Sequence, residues 1–338
     1  MGRAYRRFGP PAAVICLLLA GCAATGPPAV VPELEPIVVD AEALPVPPPR
    51  ETAVQPARPR QPPRADIALV VDTSTPAHAA IADEIAAALP PRRYRVEQFE
   101  ATAPELDALR SRGVTVVAVG PEAVQAARAA LPDKPLVFCQ VPAYADVLQA
   151  GAPIWGVQTL PPLELQLKSW QSVDPSLRTI ALIVSASGAM LAEEAQRAAS
   201  TLAADLLVET SASDRETLYL FRRLAAAVDG LWLLPDNNAL SPSVLRELLT
   251  LASTRGIGVL TFNESLLARG ALLTATAVPA DVAATVVHVV DRVVAGRTTD
   301  LPAMTPLSAA ALAVNVDVAT ALGLPPVIES RWVAREPD

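Results

Sequence analysis

The chain predicts an α/β fold of two similar lobes, each built on a parallel sheet. Three observations carry this expectation. From Asp66 onward short apolar runs recur, several of them unbroken, as strands covered on both faces require. Alanine-rich segments with helical spacing lie between them, and regular alternation of strand and helix implies parallel sheets. The alternation then pauses between Val141 and Ser176, so the chain divides into two units rather than extending one sheet.

Taken in order, the strands are expected over residues 67–71, 94–99, 114–119 and 136–140, then a short one over 154–157. A second series follows over 179–184, 205–209, 230–234, 258–262 and 271–276. Each is rich in Val, Ile and Leu or bounded by turn residues. Helices are expected over 77–89, 121–131, 191–204, 241–254 and 280–294, with another beginning near Pro161. Ser74 or Thr75 suits the N-cap of the first helix and Pro76 its first turn. The first lobe is expected over 66–158 and the second over 159–278, with a return crossing and C-terminal segment over 279–338. Crossings between the lobes fall near 158–162 and 276–280.

Ahead of the lobes, residues 1–21 have the layout of a secretory leader. Arg3, Arg6 and Arg7 precede a brief apolar core over 12–20, and small residues lead to Cys22. The core is too short to span a bilayer, which needs roughly 20 apolar residues. The run Leu19-Ala20-Gly21-Cys22 resembles the bacterial lipoprotein signal, in which the cysteine is lipidated and becomes the first residue of the mature protein. Residues 22–65 then read as the lipidated cysteine and a spacer, because proline recurs from Pro27 to Pro63 too densely for helix or central strand. At roughly 3.1 Å per residue such a spacer reaches about 130 Å.

Composition narrows the function. Of three cysteines only Cys139 lies in the lobes, so no disulfide supports them. Loss of the three leader arginines takes the formal charge from −8 to about −11, which disfavours nucleic acid as a partner. His78 and His288 are the only histidines and lie far apart, which argues against a histidine-based metal cluster or a Ser-His-Asp triad. No P-loop, Gly-x-Gly-x-x-Gly, Gly-x-Ser-x-Gly or His-Glu-x-x-His motif is present, and no cofactor or metal is implied. The chain is expected to bind rather than to catalyse.

In open α/β sheets ligands lie beyond the carboxyl ends of the strands, and that rule selects the candidate ligand-binding residues. In the first lobe they are Asp72, Thr73, Ser74, Gly120 and Gln140; in the second, Ser185, Asp236, Asn237 and Asn263. Hydroxyls at 73–75 suit a carboxylate but equally suit a helix cap. Gly120 admits a close ligand or a tight strand–helix turn, and Asp236-Asn237-Asn238 suits a polar solute or a turn.

Three segments carry a resemblance to a known family. They are the Val114-to-Val124 run with Lys134-to-Phe138, the Gly230-Leu-Trp-Leu-Leu-Pro-Asp-Asn-Asn238 run with Arg255-to-Leu260, and the Val314-to-Leu324 run. In order and spacing they resemble the periplasmic substrate-binding components of ABC transporters, in the branch linked to aromatic amino acid uptake. The resemblance covers roughly residues 66–333. It implies a type I periplasmic-binding architecture, two Rossmann-like lobes joined by three crossings, with a solute trapped as the lobes close. The chain departs from the family after Thr274: where a glycine and a tyrosine usually follow, it reads Ala275-Thr276-Ala277-Val278.

Together these readings imply a lipid-anchored envelope protein that binds a small polar solute, possibly an amino acid, for an ABC permease. The alternative is an envelope scaffold or regulator that binds another envelope protein. Ala23 stands where an aspartate would resemble an inner-membrane retention signal, so the outer membrane is favoured in a Gram-negative cell.

Overall fold

The apolar runs form strands and the intervening segments helices in the computed structural model, which describes residues 64–142, 144–148, 153–235 and 240–336. The leader, Cys22 and the proline-rich segment lie outside the described residues. The first strands and helices are β1 (Ala65–Val71), α1 (Pro76–Ala88), β2 (Tyr94–Glu100), β3 (Val114–Val119), α2 (Pro121–Ala130), β4 (Leu136–Cys139), α3 (Ala145–Leu148) and β5 (Ile154–Val157). Next come α4 (Leu163–Val173), β6 (Thr179–Val184), α5 (Ala189–Thr201), β7 (Asp205–Thr210), α6 (Asp214–Leu224), β8 (Gly230–Leu233), α7 (Pro242–Arg255), β9 (Gly258–Thr261) and β10 (Leu273–Ala277). The chain closes with α8 (Pro279–Val294), β11 (Met304–Thr305), β12 (Ala309–Val314), α9 (Val316–Ala321) and β13 (Arg331–Arg335).

Two sheets result. The first has strand order β11-β5-β4-β3-β1-β2 and is parallel throughout. The second runs β13-β12-β10-β9-β8-β6-β7, with β12 antiparallel to both of its neighbours. The fold is therefore α/β with two lobes and predominantly parallel sheets, as the alternation predicts.

Each sheet is covered on both faces, which explains the unbroken apolar runs. Alternate residues of the first sheet, Leu69, Val117 and Val137, pack with Ile85 of α1 and Val286 of α8. Their neighbours Val70, Val116 and Phe138 face Val124 of α2. In the second sheet Leu182, Trp232 and Leu260 pack with Trp170 of α4, while Ala181, Leu231 and Val259 face Phe221 of α6 and Leu248 of α7.

The chain passes between the sheets three times: at residues 158–162 after β5, at Val278 after β10, and at 306–308 after β11. The last two passages are fastened together by Asp281 in the first turn of α8. Its Oδ2 accepts from the Ser308 and Ala309 amides at 2.9 and 3.0 Å, and its Oδ1 accepts from the Ser308 hydroxyl at 2.7 Å.

Three details depart from the expected elements. The fourth strand stops at Cys139, because Gln140 takes φ +58° and leaves the extended region. The helix expected over 191–204 begins at Ala189 and ends at Thr201. An additional helix, α6, occupies a segment for which none is expected.

Candidate functional site

All three passages leave carboxyl ends of strands, so the carboxyl edges of both sheets lie on the side where the chain crosses. The two edges influence each other. Burial raises the Tyr144 hydroxyl above its usual range, and the Glu194 carboxylate raises it further. Tyr144 follows β4 of the first sheet and Glu194 lies on α5 of the second lobe, so these groups meet across the cleft.

At the first edge Asp72, Gly120 and Gln140 follow β1, β3 and β4, which are adjacent in the sheet. Asp72 is buried at 2 % exposure, whereas Thr73 and Ser74 are exposed. The Asp72 Oδ1 accepts from the Ser74 amide at 2.9 Å. Burial alone would raise this carboxyl. Hydrogen bonds from the Ser74 hydroxyl and amide and from the Glu122 amide, with the His78 ring beside it, outweigh burial and hold it below its ordinary value. Asp72 thus serves the loop before α1 and the first turn of α2 together, an anion placed where helix amides want one.

His78, not singled out in the sequence, closes this end. Its Nδ1 lies 3.1 Å from the Asp72 carbonyl oxygen and 3.5 Å from Oδ2. Gly120 has φ +93°, and a Cβ there would come within 2.7 Å of His78 Nδ1 and 2.8 Å of the Asp72 Cβ. The glycine is required for that close approach, and the approaching group is the protein's own imidazole.

Gln140 differs from its neighbours. A non-glycine residue at φ +58° is uncommon and held there by its surroundings. Its Nε2 is buried with no hydrogen-bond partner. Two further buried hydroxyls without partners, Thr159 after β5 and Thr305 on β11, terminate the next two strands of the same sheet.

At the second edge Ser185 follows β6 and Asn263 follows β9. Ser185 is buried, and its hydroxyl lies 2.6 Å from the Ser187 hydroxyl. Asn263 is exposed and caps a 3-10 turn, its Oδ1 accepting from the Ser265 amide at 3.0 Å. Asp236 and Asn237 lie outside the described residues; they follow β8, the strand between β6 and β9. Met190 and Phe262 add exposed apolar surface near this edge, at 57 % and 37 % exposure. Thr276-Ala277-Val278, where the chain departs from the family pattern, closes β10 and forms the second passage, so no aromatic ring stands there.

Sequence reasoning missed His78, Thr159, Thr305 and Glu194. Only Thr159 and Thr305 had a signal, since each ends or follows a strand. Among the described residues no group of three or more His, Cys, Asp or Glu side chains is placed to hold a metal ion. No helix of the described residues is long and apolar enough to cross a membrane.

No protein-family model and no curated protein matches the chain. Solved structures do. A ligand-free, open substrate-binding protein with adhesive properties from Clostridium difficile, CD0873, matches with TM-score 0.58 and 16 % identity over 79 % of this chain and 97 % of its own. An ABC domain in complex with L-Trp from Streptococcus pneumoniae gives TM-score 0.52 and 17 % identity over the same shares. The XylFII–LytSN complex gives 0.53 and 14 % over 76 % of this chain and 100 % of that one. At these identities the likeness is one of fold, and that fold is the type I periplasmic-binding architecture.

Proposed function

We propose that the protein is a solute-binding protein, the substrate-binding component of an ABC transporter, anchored to the envelope through a lipid on Cys22. One observation carries the reading: the carboxyl edges of two lobes face each other, and buried polar groups without partners line one of them. Buried polar atoms are normally satisfied, and a polar solute entering between the lobes supplies what the chain does not. The structures of similar fold include a substrate-binding protein and an ABC domain holding L-Trp, which fits this use of the architecture.

The candidate ligand-binding residues remain Asp72, Thr73, Ser74, Gly120, Gln140, Ser185, Asp236, Asn237 and Asn263. Of the described ones, Gln140 is the best placed to touch the solute, while Asp72 supports the loop beneath it. The anchor and the proline-rich spacer would hold the lobes in the periplasm, from the outer membrane if the cell is Gram-negative.

A thermal-shift screen of the lobes against small metabolites tests the binding claim. A solute at 100 times its Kd stabilises by about 2.7 kcal/mol, so a hit stands well above noise. A flat response across the screen would favour the envelope-scaffold reading. The anchor is tested separately by membrane fractionation beside Cys22→Ala: the wild type should sediment with membranes and the variant should not.

A further inference from the structure

We propose that the solute is uncharged, recognised by hydrogen bonds to hydroxyl or carbonyl groups and not through a carboxylate, phosphate or ammonium. The inference rests on the solute-binding reading and deepens it. Three independent features of the cleft edges point this way.

The first is where the cations are not. Residues 66–91, 96–109, 113–127, 135–167, 179–196, 224–245, 256–268, 270–291 and 298–330 contain no lysine or arginine. Those stretches hold the carboxyl end of every strand that continues toward the cleft except the edge strand β7. Arg215 follows β7, and its charge is spent on neighbouring Asp214. An anionic solute brought between the lobes would lose its hydration and meet no compensating charge.

The second is that the amides which could replace a cation are already answered. Helix N-termini hold anions well, but here the chain supplies its own acceptors. Asp72 takes the Ser74 and Glu122 amides. Ser213, Ser241 and Asn263 accept from the first-turn amides of α6, α7 and the 3-10 turn after β9. A solute carboxylate at the Asp72 end would also displace or face a buried carboxylate.

The third is what remains unanswered. Gln140 Nε2 and the Thr159 and Thr305 hydroxyls end three adjacent strands, β4, β5 and β11. At a strand spacing of about 4.8 Å those ends lie within about 10 Å along the edge. All three groups are neutral donors, and they sit beside the passages between lobes. They match carbonyl or hydroxyl oxygens. An ammonium fails for a different reason: no carboxylate joins this group. Of the acids nearest the cleft, Asp72 is saturated, and Glu194 is pushed up by burial with Arg197 already beside it.

Isothermal titration of the purified full-length protein in detergent decides it, using three probe sets. Monosaccharides and nucleosides form the neutral set; free amino acids, dicarboxylates and inorganic phosphate the anionic set; polyamines the cationic set. The expected result is saturable binding from the neutral set alone, with an affinity insensitive to added salt. Gln140→Gly removes the amide yet accepts the positive φ, so it should weaken that binding about tenfold while melting no lower than wild type. Saturable binding of an anionic or cationic probe with no neutral binder overturns the charge inference and leaves the solute-binding reading standing. Binding by none of the probes overturns both. An unchanged affinity in Gln140→Gly, with the variant folded, removes the amide from the site.

Discussion

Asp72 is the residue on which the first cleft edge depends, and its chemistry predicts its behaviour. The carboxylate is buried and accepts from two backbone amides and a hydroxyl, so its folded form is ionised more readily than its unfolded form. A depressed carboxyl contributes stability that is complete above the unfolded value, about 3.8, and is lost as pH falls through the folded one. Asp72→Ala leaves the Ser74 and Glu122 amides without their acceptor. It should therefore lower stability at neutral pH by about 1–3 kcal/mol and flatten the acid limb of the pH–stability profile, measured by denaturant titration. A variant with the wild-type acid limb would show that the carboxylate is not ionised in that loop. Position 72 was legible in the sequence because a strand's carboxyl end is the place to look. Its role as an internal anion was not, because that depends on Glu122, fifty residues on, and on His78 filling the space over Gly120. A glycine at a strand–helix turn signals close approach, but the sequence does not say what approaches.

At the scale of elements, the strands were easy to read and the connecting helices less so. Continuous Val, Ile and Leu runs have no alternative once both faces are covered. Helix α6 escaped notice because it contains no alanine between Asp214 and Leu224, unlike the helices that alanine made visible. Its start was nevertheless written in Ser213-Asp214-Arg215-Glu216, a capping box. The Ser213 Oγ accepts from the Glu216 amide at 3.2 Å, and the Glu216 carboxylate reaches back to the Ala212 amide at 2.8 Å. Ser213→Ala should cost about 1 kcal/mol by chemical denaturation, and Ser213→Asp should restore most of it. Equal stability of Ser213→Ala and wild type would mean that packing of Phe221 and Leu218 alone sets the helix. The short strands β11 and β13 stayed hidden for another reason. Two residues, or five of mixed polarity at a sheet edge, acquire strand character only from the neighbour they pair with.

At the scale of the molecule, the two-lobe division was visible in the pause after Val141, and the first two passages fall where the pattern breaks. The third passage was legible only through family resemblance, because the C-terminal segment divides itself between both sheets, β11 joining the first and β12 and β13 the second. Asp281 fastens the second passage to the third, so those two segments are built to move together. If the lobes close on a solute, the motion should bend the chain around that fastened pair and the single passage after β5.

Closure across the cleft is the central claim, and a distance between the lobes measures it. Spin labels on Glu122→Cys at the first edge and Met190→Cys at the second report the gap by pulsed electron resonance. Cys139 will not compete for label, since burial is complete and pushes its thiol up to about 12. With the solute that most raises the melting temperature at saturation, the distance should shorten and its distribution narrow. The same broad distribution with and without that solute would contradict a cleft that closes on its ligand.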